Sequence, residues 1–290
     1  MIEILTEPLA YAFMQRGMLA SVMVGILCAV VGCYVVLRGM AYLGDAMSHA
    51  ILPGVAIAYL LQGEILIGAL VAAIIVALGI GFLTRRGSIK EDTAIGILFA
   101  ATLSLGVALI SVIKTYALDL THILFGNVLG VSEMDLFLIA LLSAGVLLTI
   151  ALLYKELLVV SFDPVLAATL RLPTELLKDV LLILIAIVVV VSLQTVGVGL
   201  VAAMLVTPAA TAYLLTRRLP AMMLVAATLG ALASVIGLYL SYYFNIVSGA
   251  AVVLTATGFF FLAYLFAPQR GLLWHSWRRQ THANAPASKK

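Results

Sequence analysis

The sequence predicts an all-α, polytopic membrane protein with about eight or nine transmembrane helices. Three observations predict it. Hydrophobic residues make up 64% of the 290 and charged residues only 10%, a balance foreign to soluble domains of this length. The apolar residues fall in repeated runs of about 18 or more, each long enough to cross a bilayer as a helix. Basic residues crowd the loops on one side and are scarce on the other. The net charge of +3 is small and forms no basic face outside those loops, so nucleic acid is not an expected partner.

Each element follows from the pattern. Residues 1–16 read as an amphipathic, interfacial lead-in. They are acidic, with no basic region and no small-residue cleavage site, so no cleavable signal peptide is expected. The spans are expected over 18–37, 40–61, 65–83, 93–113, 136–154, 180–197, 200–215, 221–243 and 249–266. Cys28 and Cys33 lie in the first and are expected as small packing residues, not as a disulfide or metal pair. Between the fourth and fifth lies a mixed segment, 114–135. Between the fifth and sixth lies a charged one, 155–179. The seventh is short and is expected either to cross or to form a broken pair with the sixth. Residues 1–267 therefore read as one transmembrane domain, and 268–290 as a basic tail, disordered at its end. With alternating sides, fourteen of the sixteen basic residues share one face, and only Arg16 and Lys114 fall on the other. The protein is expected in the cell (cytoplasmic) membrane, with the basic side and the C-terminus cytoplasmic.

The second span carries the chemistry. By these boundaries Asp45 is the only acid, and His49 the only histidine, inside the hydrocarbon. An intramembrane ionisable residue is expensive and marks a functional site by default. Positions i and i+4 share a helix face. A carboxylate and an imidazole there make half a coordination shell for a divalent cation. Pro53 follows and has no N–H, so the carbonyl of His49 loses its usual partner. Gly54 loosens the turn further, and the helix should bend or open beside the polar pair, where transporters place their ions. The competing reading is that Asp45 pairs with Arg38 near the interface and His49 hydrogen-bonds a neighbouring helix. Two ligands do not complete a site. Waters, neutral side chains such as Gln194, Thr207 and Asn245, or a second copy across a two-fold axis are the available completions. No thiolate is near, which disfavours a soft ion such as Cu(I). Ligation requires a neutral imidazole and an ionised carboxylate, so transport should fail on acidification.

The energy source is external. The chain has no GxxxxGK[ST] phosphate loop, so an ion gradient or a partner ATPase must drive it. On the cytoplasmic side, Asp163-Pro164 is a good helix start. The short helix it opens, ending near Pro173, is either a docking piece or an ordinary surface helix.

Five stretches carry a resemblance: VVLRGMAYLGDAMSHAILPGVAIAYLL (34–61), KEDTAIGILFA (90–100), DLTHILFGNVLGVS (119–132), SFDPVLAATLRLP (161–173) and GVGLVAAMLVTPAATAYLL (197–215). In these the chain resembles the membrane permease of ATP-binding-cassette (ABC) importers for manganese, zinc or iron(II). The resemblance implies a homodimeric permease of the vitamin B12-type (type II) fold with fewer spans. It implies two cytoplasmic ATPase subunits that bind ATP, and an extracytoplasmic metal-binding protein. No permanently bound cofactor is implied; the metal is cargo, held at Asp45 and His49. Asp163, Pro164, Leu166, Ala167 and Leu170 fall at the coupling helix that enters a groove of the ATPase. Phe125-Gly126-Asn127 falls at a re-entrant element near the outer mouth. The mechanism implied is alternating access.

Secondary candidates have plainer readings beside them. Asp119 and His122, with Glu133 and Asp135, form either an outer cation funnel or a solvated face. Thr207 and Thr211 flank Pro208; packing is their expected role, pore lining comes second, and their hydroxyls are also placed to re-satisfy carbonyls it frees. Trp274 and Trp277 are expected as an aromatic anchor, and His275 and His282 as solvated tail. Rival functions are a proton-driven secondary transporter working through Asp45 and His49, an ABC permease for a bulky chelate, and a non-transporting scaffold. Among metals, manganese and zinc are favoured by the lack of a nearby cysteine.

Overall fold

A computed structural model describes residues 7–85, 89–112 and 128–267. The described residues hold twelve α-helices and no strand. In chain order they are α1 (Ala12–Leu37), α2 (Leu43–Ala50), α3 (Leu52–Leu60), α4 (Ile65–Thr84), α5 (Glu91–Val112), α6 (Glu133–Leu152), α7 (Tyr154–Phe162), α8 (Pro164–Thr169), α9 (Thr174–Val196), α10 (Val198–Leu215), α11 (Leu219–Phe244) and α12 (Ser248–Phe266). Among the described residues, eight stretches are long and apolar enough to cross a membrane, α2 and α3 counting together as one. The helical apolar piece within α10 is shorter. The expected all-α architecture of eight or nine spans is therefore what the chain adopts.

Helix α1 is the axis of the bundle. It packs against α11, α10, α9 and α6, and its Leu27, Cys28, Val31 and Tyr34 are wholly buried. Lipid tails are as apolar as leucine, so helices associate in a bilayer by close packing and a few hydrogen bonds. The sequence provides both. Ser234 of α11 donates to the Ser21 carbonyl of α1 at 2.9 Å. Cys28 and Cys33 are free and buried: the Cys28 thiol lies 3.0 Å from the Ser192 hydroxyl, and Cys33 donates to the Ala29 carbonyl at 3.2 Å. Both are packing residues, as expected. On the other side of the molecule, Gly54 of α3 and Gly68 of α4 bring two helix backbones into direct contact. A methyl added to either would strike the other's carbonyl oxygen.

Turn chemistry ends several of these helices. Arg38–Gly39–Met40, Leu61–Gln62–Gly63 and Leu170–Arg171–Leu172 each close with the same paired bonds, the first and last residue-pairs being Met40 N–H to Val35 carbonyl and Leu172 N–H to Ala167 carbonyl, at 3.0 and 3.1 Å. This C-cap needs one left-handed residue, ordinarily glycine. Gly39 serves at one, but Gln62 (φ +52°) and Arg171 (φ +56°) serve at the others. At the start of α6, Ser132 and Asp135 form a reciprocal capping box, and Glu133 pairs with Arg16 at 3.7 Å. These two acids thus have structural employment at a helix start. Asp119, His122 and Phe125-Gly126-Asn127 lie outside the described residues, as do Trp274, Trp277, His275 and His282.

Candidate metal site

The second apolar run folds as α2 and α3, separated only at Ile51. The break falls two residues before Pro53, where the missing N–H was expected to interrupt the ladder. Ile51 keeps right-handed helical angles (φ −76°, ψ −19°), and hydrogen bonding resumes with Val55 N–H to the Ile51 carbonyl at 3.0 Å. The span is therefore interrupted for one residue without unwinding. Ser48 is fully buried, and its hydroxyl returns to the Gly44 carbonyl at 2.7 Å. That bond turns Ser48 back onto its own helix.

Asp45 and His49 stand one turn apart on α2. His49 Nε2 and Asp45 Oδ1 are 3.7 Å apart, with side chains 26% and 51% exposed. That separation is longer than a hydrogen bond, so the two groups converge without being locked together. His49 Nδ1 is buried and has no hydrogen-bond partner among the described residues. The ring meets Phe99 of α5 edge-on, centroids 5.7 Å apart. The reading in which Arg38 neutralises Asp45 is not what forms. Arg38 Nη2 donates to Glu91 Oε1 at 2.6 Å, with the arginine side chain only 9% exposed.

Asp45 lines a cavity of about 230 Å³ between α2 and α5, walled by Tyr42, Ala46, Asp92, Ile95, Gly96 and Phe99. Asp92 is the residue the sequence reading missed. A boundary drawn at 93 left it in a loop, whereas α5 begins at Glu91 and carries Asp92 in its first turn. The signal was present: two acids ahead of an apolar run complement a helix N-terminus. Contrary to expectation, Asp45 is not the lone acid of the spans. Asp179, assigned to the charged segment, lies inside α9, is 8% exposed and is paired with Arg85. No group of three or more His, Cys, Asp or Glu close enough to hold a metal occurs among the described residues. One chain thus offers a convergent carboxylate and imidazole, with a second acid, Asp92, lining the cavity beside Asp45.

The neutral completions fare unequally. Asn245 is the left-handed cap of α11 (φ +51°), a structural post at a helix end. Thr211 donates to the Thr207 carbonyl at 2.7 Å. The carbonyl that Pro208 deprives of a donor is that of Met204, a turn earlier, so this hydroxyl serves a different group from the one expected. The side chain of Gln194 lies outside what is described.

The cytoplasmic candidates form one small structure. Asp163 caps α8, its Oδ1 accepting from Val165 N–H and Leu166 N–H at 3.0 and 2.9 Å. Pro164 occupies the first helical turn, and the cap at Arg171 closes the far end. Val165, Leu166 and Leu170 are 73%, 47% and 56% exposed. Ala167 is fully buried, so its methyl faces into the protein and anchors the helix while the others present an outward apolar face.

A bundle of apolar helices, with one interrupted span carrying a convergent acid and imidazole beside a cavity, defines a multi-pass membrane transport protein. The chain belongs to the ABC 3 transport family, which matches residues 10–267. It is 52% identical over 263 residues to the manganese transport system membrane protein MntC of Listeria monocytogenes, covering 91% of this chain and 94% of that protein. It is 42% identical over 270 residues to the "Probable iron transport system membrane protein" of Haemophilus influenzae, covering 93% and 99%. A solved chain of PsaBC from Streptococcus pneumoniae in complex with Fab superposes with a TM-score of 0.84 at 42% identity, covering 95% of this chain and all of that one. The fold and family are those of the membrane permease of a metal-cation ABC importer.

Proposed function

We propose that this chain forms the translocation path of an ATP-driven importer of a divalent transition-metal ion, manganese first and iron(II) second. The observation that carries the reading is the Asp45–His49 pair: convergent at 3.7 Å, unclaimed by Arg38, with Asp45 lining a cavity, a turn before the helix is interrupted. Relatives named for manganese and iron transport support the choice of metal. Asp and His serve zinc as well, so selectivity among these ions comes from geometry and from the protein that delivers the metal.

Two ligands are too few for a divalent ion. A second copy related by a two-fold axis doubles them to two aspartates and two histidines, so a homodimer completes the site. Metal arrives from an extracytoplasmic binding protein, loses most of its water and is held at the interrupted span. A cytoplasmic ATPase subunit docks on α8 through Val165, Leu166 and Leu170, and its ATP cycle switches the open side. The crowding of basic residues supports a cytoplasmic C-terminus.

The test is manganese accumulation in cells lacking other importers. Asp45→Ala and His49→Ala abolish uptake while the protein folds and retains its ATPase; uptake at the wild-type rate in either refutes the site. Val165→Glu with Leu166→Glu releases the ATPase in co-purification, and retention refutes the docking surface. Uptake into vesicles that needs ATP and persists when the proton gradient is collapsed separates this reading from a proton-driven transporter.

A further inference from the structure

Asp179 is a buried acid that metal binding does not use. It lies in the second turn of α9, its side chain 11% exposed, and its Oδ2 accepts from Arg85 Nη2 at the C-terminal end of α4. The carboxylate rests on Gly81 of α4 so closely that a methyl there would strike it. Three features give this contact a directional place in the fold. Helix α9 begins four residues after α8 ends, so a displacement of α8 is delivered to α9 at once. Helix α4 meets α3 backbone to backbone at Gly54 and Gly68. Helix α3 in turn continues through Ile51 into α2, which carries Asp45 and His49. The Arg85–Asp179 pair therefore joins the segment at the ATPase face to the packed pair α3–α4 behind the site. Its chemistry suits transmission. A buried carboxylate cannot leave its cation without a large electrostatic cost, so α4 must follow α9. Glycine at 81 lets the carboxylate seat directly on the α4 backbone, so the two helices are held in close register at this point.

We propose that Arg85 and Asp179 are positioning residues for transport: through their ion pair, movement of α8 reaches the interrupted span and repositions Asp45 and His49. This rests on the reading of α8 as the ATPase dock. The experiment uses the full chain with its partner ATPase in vesicles, with Mn²⁺ as probe, and measures ions moved per ATP hydrolysed. Arg85→Gln and Asp179→Asn each lower that ratio by about fivefold or more, the lower end of coupling between distant sites, while the ATPase stays bound and active. The double variant is no worse than either single, because one contact is removed once. Arg85→Lys keeps the ratio near wild type. The inference is overturned if both single variants keep the wild-type ratio, if their effects multiply in the double variant, if Arg85→Lys fails as badly as Arg85→Gln, or if the variants lose the ATPase or aggregate. If the wild-type chain shows no ATP-driven uptake at all, the proposed function falls first and this inference with it.

Discussion

Replacing Gly54 tests how the interrupted second span is held. An alanine Cβ at this position would lie 2.6 Å from the Ala72 Cβ and 2.8 Å from the Gly68 carbonyl carbon, where ordinary contact begins at 3.4 Å. The Gly68 carbonyl oxygen is closer still, and neither backbone nor a methyl can rotate aside, so α3 and α4 must part by more than about 0.8 Å to relieve the overlap. Such overpacking costs about 1–3 kcal/mol. Alanine recovers up to about 1 kcal/mol through its better helix propensity. Gly54→Ala should therefore destabilise by about 0–2 kcal/mol, and Gly54→Val, with less compensation and a larger overlap, by about 1–3 kcal/mol or more. Because α3 runs directly into α2, the displacement also moves the Asp45–His49 pair, and manganese uptake falls in the same order. Gly145 is the internal control, since nothing lies within 4 Å of its added Cβ; Gly145→Ala should be neutral or stabilising. The assay is thermal unfolding of the purified protein in detergent beside uptake in cells. If Gly54→Val melts with the wild type and transports normally, or if Gly54 and Gly145 variants behave alike, the backbone contact is not what fixes the span.

Gly96 lines the cavity with Asp45 and has nothing within 4 Å of its added Cβ, so Gly96→Leu should fold normally yet block manganese uptake by filling the space; normal uptake would mean the cavity lies off the path. Gln62 holds a left-handed backbone (φ +52°), which costs an L residue about 1–2 kcal/mol; Gln62→Gly, after glycine's own entropy penalty, should raise the melting temperature by the equivalent of about 0.5–1 kcal/mol.

The two acids of α5 show how close sequence reasoning came to the site and where it stopped. Residues 90–100 were recognisable as a characteristic stretch, but a span boundary set by hydropathy excludes charged residues by construction, and so Glu91 and Asp92 fell outside it. Their partners are set by tertiary contact. Glu91 meets Arg38 across 53 residues of chain, and Asp179 meets Arg85 across 94; no local pattern encodes either pairing. Ala167 is a similar case. Its place between exposed Leu166 and Leu170 is visible in the sequence, while its burial depends on what α8 lies against.

The sequence by itself determined the class of the protein, the order of its apolar helices, the interruption of the second span before Pro53, and the single-turn spacing of Asp45 and His49. These follow from local rules: hydrophobic length, a missing N–H, and the helical repeat. Tertiary structure alone decided which helices form the interior. The apolar stretch at the start of α9 is 72% buried and that of α4 only 33%, though the two are equally hydrophobic. Lipid and protein interior are alike in polarity, so hydropathy marks what enters the membrane but cannot tell which helices the protein wraps around. That choice was made by the close backbone contacts and by the few ion pairs that long-range packing brought together.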